Sequence, residues 1–239
     1  MRSSSEFGAG DVRVIIPTMH PAPTGGPILH LHFNRPRKRN ALNLAMLEEL
    51  HRCLSEPVGR IVLTSSGPSF CAGLDLDECR NDPAWPKPLR HLGLLANVYR
   101  RLLNNSATSI ALVQGFAVGG GLGLAVCADV VIAASEVRLR LPETGELAAL
   151  AHIVQPIIEA RQAARRGAVG WQVGELDARA AQTAGLIDEI VEPATIAARR
   201  EEALREFLPR LSQQPSWRTP ERCRAIAAAM RMILTELSR

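Results

Sequence analysis

The 239 residues carry 28 basic and 24 acidic side chains, a net charge of +4, with 46% hydrophobic and 22% charged residues. These globular proportions exclude wholesale disorder, and a chain of this length buries enough surface to need neither a disulfide framework nor a structural metal. No apolar run reaches the ~18–20 residues of a membrane span, aromatic residues at 4% are too few for a nucleobase-stacking platform, and five cysteines without a C-x-x-C pair argue against zinc. The expectation is a soluble, cytoplasmic protein with no membrane span, no nucleic-acid partner and no metal.

Residues 1–10 read as a floppy leader without a signal-peptide core. The alternation of apolar residues and histidines from Pro27 to Phe33 predicts a half-buried strand, with 11–17 as its partner. Leucines at helical spacing predict a helix over 44–54 with Asn43 as its N-cap. Arg60 to Thr64 reads as a short apolar strand, 82–88 as a Pro-rich loop, and 89–104 as a helix. A buried strand at 109–113 runs through QGFAVGGG into a helix over 120–128, followed by strands at 130–134 and 137–141. Helical patterns at 150–166 and 177–184, the strand-like LIDEIVE (186–192) and a helical region from 194 to 239 complete the chain. The recurrence of strand then helix predicts an α/β core over 11–193 with a C-terminal helical region over 194–239.

Two segments carry chemistry. In QGFAVGGGLGLAVCAD (114–129) a strand enters three glycines and leaves as a helix, so backbone N–H groups without intrahelical acceptors lie at the helix start, where the dipole favours negative charge. The phosphate-binding frames G-x-x-x-x-G-K-[ST] and G-x-G-x-x-G are absent there, which leaves an oxyanion hole or mere strand–helix packing. The second segment, SFCAGLDL (69–76), turns on Gly73 after a strand and can present the N–H of Leu74. Alone it reads as an ordinary turn. Together the two offer the pair of converging donors that an oxyanion hole requires.

RPRKRNALN (35–43), FCAGLDL (70–76), the glycine turn with CAD (127–129), Pro142-Glu143 and AQTAGLIDEIV (181–191) occur in one order that resembles the crotonase, or enoyl-CoA hydratase/isomerase, superfamily. The resemblance implies a spiral of ββα turns with C-terminal helices that build a homotrimer or hexamer. It implies an acyl thioester as substrate, on coenzyme A or on an acyl-carrier protein's pantetheine, and no separate cofactor. By the same resemblance the N–H groups of Leu74 and Gly120 hold the thioester oxygen. Asn40, Ala41, Leu42, Ala72, Asp75 and Leu76 would contact the coenzyme, and Arg37 and Lys38, beside Arg39, would meet its phosphates.

Hydratases of this family use two glutamates, and here Gly123 stands at the first position while Glu143 keeps the second. One carboxylate suits a proton shift of the Δ3,Δ2-enoyl-CoA isomerase type, with Glu143 as base. The chain departs from the family after Glu143, where TGELAALAHIV (144–154) replaces a glycine–proline segment. Glu146 or His152 could then supply another group. Tyr99 and His91 could serve a decarboxylase or simply pack the helix over 89–104, and a thioester-binding subunit without chemistry is the rival of another class.

Overall fold

The computed structural model describes residues 15–21, 26–142, 148–165, 170–205 and 217–238. The chain begins with β1 (Ile15–His20), β2 (Ile28–Phe33), α1 (Leu44–Cys53), β3 (Arg60–Ser65), α2 (Leu76–Arg80) and α3 (Leu89–Asn104). It continues through β4 (Thr108–Val113), β5 (Phe116–Val118), α4 (Gly120–Cys127), β6 (Val130–Ala134), β7 (Arg138–Leu141) and α5 (Ala148–Ala164). The remainder is β8 (Gly174–Asp177), α6 (Ala178–Thr183), β9 (Glu189–Val191), α7 (Ile196–Arg205) and α8 (Pro220–Leu237). No helix among the described residues is long and apolar enough to cross a membrane.

One sheet has the order β1-β2-β3-β4-β6-β9, and a smaller one has the order β5-β7-β8. β1 is antiparallel to β2, while β2, β3, β4, β6 and β9 are mutually parallel. The α/β repeat expected from sequence is present: β4–β5–α4 and β6–β7–α5 each send their first strand to the large sheet and their second to the small one.

Strand alternation assigns the faces of the large sheet. Leu29, Leu31 and Phe33 of β2, Ile61 and Leu63 of β3, Ala111 and Val113 of β4 and Val131 and Ala133 of β6 enter the main core beneath α1, α3, α4 and α5. Ile28, Val62, Ile110, Leu112, Val130 and Ile132 point the other way and meet Ala203 and Leu204 of α7. Burial on both faces explains why β3 and β4 read as unbroken apolar runs. Helix α1 starts where Asn43 Oδ1 accepts from the Met46 N–H at 3.0 Å, as its sequence predicts.

Three elements escaped the periodicity. Helix α2 has five residues and is started by Asp75, whose carboxylate accepts from the Asp77 and Glu78 N–H groups. Strands β5 and β8 have three and four residues, too few for a period. The first strand pairs with β2 as expected and runs on past the expected end at 17 to His20, which pairs with Ile28, while residues 11–14 lie outside the described residues.

The predicted C-terminal region is helical over its described parts, α7 and α8. Cys223, Ile226 and Met230 of α8 are buried against the chain's own core, where α8 packs on α3 and α5. Leu208 and Leu211, which share helical spacing with Leu204, lie outside the described residues.

Candidate active site

The loop after β3 is held by its neighbours residue by residue. Phe70 N–H donates to Gln114 O at 2.9 Å, Cys71 N–H to Phe116 O at 3.1 Å, and Ala72 N–H to Arg39 O at 3.0 Å. Val118 N–H returns a bond to Cys71 O at 3.0 Å. A parallel bridge joins Leu42 to Leu74, with Leu42 N–H donating to Gly73 O at 2.7 Å and Asp75 N–H to Leu42 O at 2.9 Å. In that bridge the Leu74 N–H points away from Leu42, and it donates to no described residue.

Gly120 opens α4, and its N–H likewise donates to no described residue. The two donors are neighbours. A Cβ placed on Gly73 would lie 3.5 Å from Gly120 N and 2.8 Å from Val118 O, and Gly73 sits at φ +91°, so only glycine admits both the turn and the approach. Leu74 and Gly120, predicted as a pair, are therefore brought together across the 71–74 and 118–120 segments, with the dipole of the eight-residue α4 behind one of them. The surrounding wall is apolar: Leu42, Leu95 and Leu150 crowd Gly119 and Gly120.

Tyr99 is the polar group at this point. It is fully buried on α3, and its Oη donates to Gly120 O at 2.8 Å. Burial raises its phenol well above the ordinary value, with Cys127 and Cys71 adding to the effect. A Cβ built on Gly123 would fall 2.2 Å from Tyr99 Oη and 2.4 Å from Cζ, so the phenol occupies the space a side chain at 123 would need. Sequence reading assigned Tyr99 to helix packing or to a decarboxylase, since a buried aromatic at helical spacing signals core and its hydroxyl contact is not visible in one dimension. The other histidine and carboxylate options separate. His91 is buried between Glu78, 3.4 Å away, and Asp82, 3.3 Å away, whereas His152 is exposed on α5. Glu143 and Glu146 lie outside the described residues.

The predicted coenzyme-contacting residues fall into two sets. Asn40 is fully buried at φ +54°; its Nδ2 donates to Ser66 O and Ser69 O, and its Oδ1 accepts from Arg35 N–H. Asp75 is 4% exposed and takes Arg35 Nη1 at 2.5 Å. Burial pushes the Asp75 carboxyl up, but the Arg35 guanidinium and the α2 N–H groups outweigh it and hold the group below its usual range. These two side chains, with buried Ala41 and Leu42, shape the segment and leave backbone as what it can offer. Ala72 is half-buried, Leu76 is 38% exposed, and Arg37, Lys38 and Arg39 are exposed at the rim. Lys38 Nζ reaches Asp77 Oδ2 at 2.6 Å. Among the described residues no cluster could hold a metal ion.

Residues 24–219 match the family model of enoyl-CoA hydratase/isomerase. The chain is 29% identical over 202 residues to 1,2-epoxyphenylacetyl-CoA isomerase of Escherichia coli, covering 80% of this chain and 74% of that one. It is 35% identical over 148 residues to an enoyl-CoA isomerase/hydratase of Penicillium crustosum, where the match covers 57% of this chain but spans only 17% of that protein's length. The apo structure of an Mtb enoyl-CoA isomerase superposes with a TM-score of 0.73 at 23% identity, covering 94% of this chain and 97% of that one, which shows a shared fold. With the paired strand–helix repeat and the two-amide turn in place, the chain belongs to the enoyl-CoA hydratase/isomerase family and has the crotonase fold.

Proposed function

We propose that this protein binds an acyl thioester, stabilises its enolate between the Leu74 and Gly120 amides, and moves a proton with Glu143 in a Δ3,Δ2-enoyl-CoA isomerase-type shift. The observation that carries this reading is the filled space beside Gly123, where the Tyr99 phenol leaves no room for a side chain. Adding water needs a nucleophile and a proton donor held together, and a second carboxylate has no place at 123. A single carboxylate suffices for an allylic shift: the C2–H bond breaks, the double bond moves from C3–C4 to C2–C3, and the proton is returned at C4. The enolate oxygen carries the intermediate's charge, and two amides with a helix dipole stabilise it more than the ground-state carbonyl.

The coenzyme enters as part of the substrate, on coenzyme A or on a carrier protein's pantetheine, with no separate cofactor. The exposed Arg37, Lys38 and Arg39 at the rim suit its phosphates. Assembly as a homotrimer or hexamer belongs to the same reading.

Replacing Glu143 by Gln tests it. Isomerase turnover on a 3-enoyl thioester should fall by about 10²–10⁴-fold with affinity nearly intact, and solvent deuterium should appear at C4 in the parent enzyme. Full turnover in Glu143→Gln overturns the proposal. Release of CO2 from a malonyl-type thioester, retained in that variant, would instead assign a decarboxylase, and binding without turnover would assign a non-catalytic subunit.

A further inference from the structure

We infer that Tyr99 is a positioning residue for the Gly120 donor, so that α3 sets the strength of the oxyanion hole through one phenolic hydrogen bond. The inference rests on the reading of Gly120 as an oxyanion donor. Gly120 lies at the first position of α4, where no preceding turn fixes it, and it follows Gly119 at φ +49°. Glycine at two successive positions gives this turn more conformational freedom than any other pair of residues would. An oxyanion donor must nevertheless be held within a few tenths of an ångström before the charge develops, because reorganisation at that moment subtracts from the stabilisation.

The restraints on Gly120 can be traced. Its N–H side is fixed through Gly119, whose N–H donates to Arg140 O at 2.8 Å. Its carbonyl side is fixed by the Tyr99 hydroxyl at 2.8 Å. The phenol itself cannot wander. Tyr99 is 0% exposed in the core of α3, and Gly123 receives its Oη and Cζ in a space that one methyl would close. The pair Tyr99 and Gly123 thus forms a lock: glycine at 123 admits the phenol, and the phenol restrains Gly120 three residues earlier. It is also the only tyrosine in the chain, so its ring gives a single spectroscopic signal.

The conservative variant is Tyr99→Phe, which keeps the ring and deletes the donor. Two measurements apply. In the ligand-free protein, hydrogen exchange over residues 119–123 should accelerate about fivefold, the loss expected for one neutral hydrogen bond, while exchange over 60–65 and 108–113 stays unchanged. With a bound enoyl thioester, the carbonyl stretch, lowered in frequency by the two donors, should move back toward its value in water, and kcat should fall about fivefold with KM unchanged. Unchanged exchange over 119–123 overturns the inference, as does an unchanged carbonyl stretch with full kcat. A uniform rise in exchange across both sheets would show a purely structural role and overturn it too. If the parent protein binds no acyl thioester while the local exchange effect is present, the acyl-thioester reading fails and the positioning of Gly120 by Tyr99 stands.

Discussion

His20, His30 and His32 line the face of the large sheet that lies away from the candidate site. Their rings meet at tilted angles with centroids 5.7 and 5.8 Å apart, and the Thr64 hydroxyl bridges His30 Nε2 and His32 Nδ1 at 2.7 Å each. The hydroxyl has one proton, so it donates to one ring and accepts from the other. Burial first, then His32, His20 and Arg200, lower the His30 pKa to about 4, and burial and Arg200 lower that of His32. A histidine whose folded pKa is depressed binds its proton less well than in the unfolded chain, so stability rises with pH between the two values. Stability should be full above pH ~6.5 and decline as pH falls toward 4. Denaturant midpoints at successive pH values check this, and His30→Gln should flatten the slope; an equal slope in the variant would assign the loss to other groups.

Within single residues, the same side chain type can shape a site without touching its ligand. Asn40 holds a left-handed turn, which asparagine tolerates better than most residues, and satisfies two carbonyls and one N–H around it. Sequence resemblance pointed to Asn40 as part of the coenzyme segment. The geometry gives its side chain the task of fixing that segment's backbone.

At the scale of elements, the ends of the buried helices are neutralised by a set of arginines. The C-terminus of α4 is capped by Arg161 Nη1, 2.5 Å from Ala128 O, and by Trp217 Nε1, 3.0 Å from the same oxygen. Arg161 is fully buried and also meets Asp188 Oδ2 at 2.5 Å, while Arg165 pairs with the other Asp188 oxygen. Arg218 donates to Leu102 O at 2.6 Å and Ala107 O at 2.8 Å, and it pairs with Asp129, which also accepts from Ser109. Cations at helix C-termini complement the dipole, and burial makes each partner costly to remove. Asp129→Ala should leave the Arg218 charge buried and destabilise the protein by about 3–5 kcal/mol. Its urea midpoint gives the number, and a change below 1 kcal/mol would show that Arg218 finds another partner.

For the whole molecule, the apolar face of α8 is already covered by α3 and α5 of its own chain, so self-association cannot rest on Ile226 and Met230. The large apolar residues left exposed include Phe116 at 48%, Val173 at 37% and Met232 at 64%. Burial of such residues between copies would be favourable at roughly 25 cal/mol per Å², and the homotrimer or hexamer proposed for this chain is tested by its mass. Light scattering at micromolar concentration should give three or six times the 25.9 kDa chain mass. A mass of one chain would end that expectation.

The linear sequence carries the α/β class, the boundaries of α1, α3, β3, β6 and α4 to within a residue or so, and the order of the two glycine turns. These are legible because period, caps and glycine turns are local properties, and because the motif order FCAGLDL then GFAVGGG is linear information. The short elements α2, β5 and β8 were not legible, since three to five residues carry no period and are formed by pairing with distant partners. Packing in the folded chain turns Asn40 and Asp75 inward, faces His152 out, and puts the Tyr99 hydroxyl in the space beside Gly123. Those outcomes depend on which side chains from different elements compete for one volume, and close packing of a core settles that competition in three dimensions.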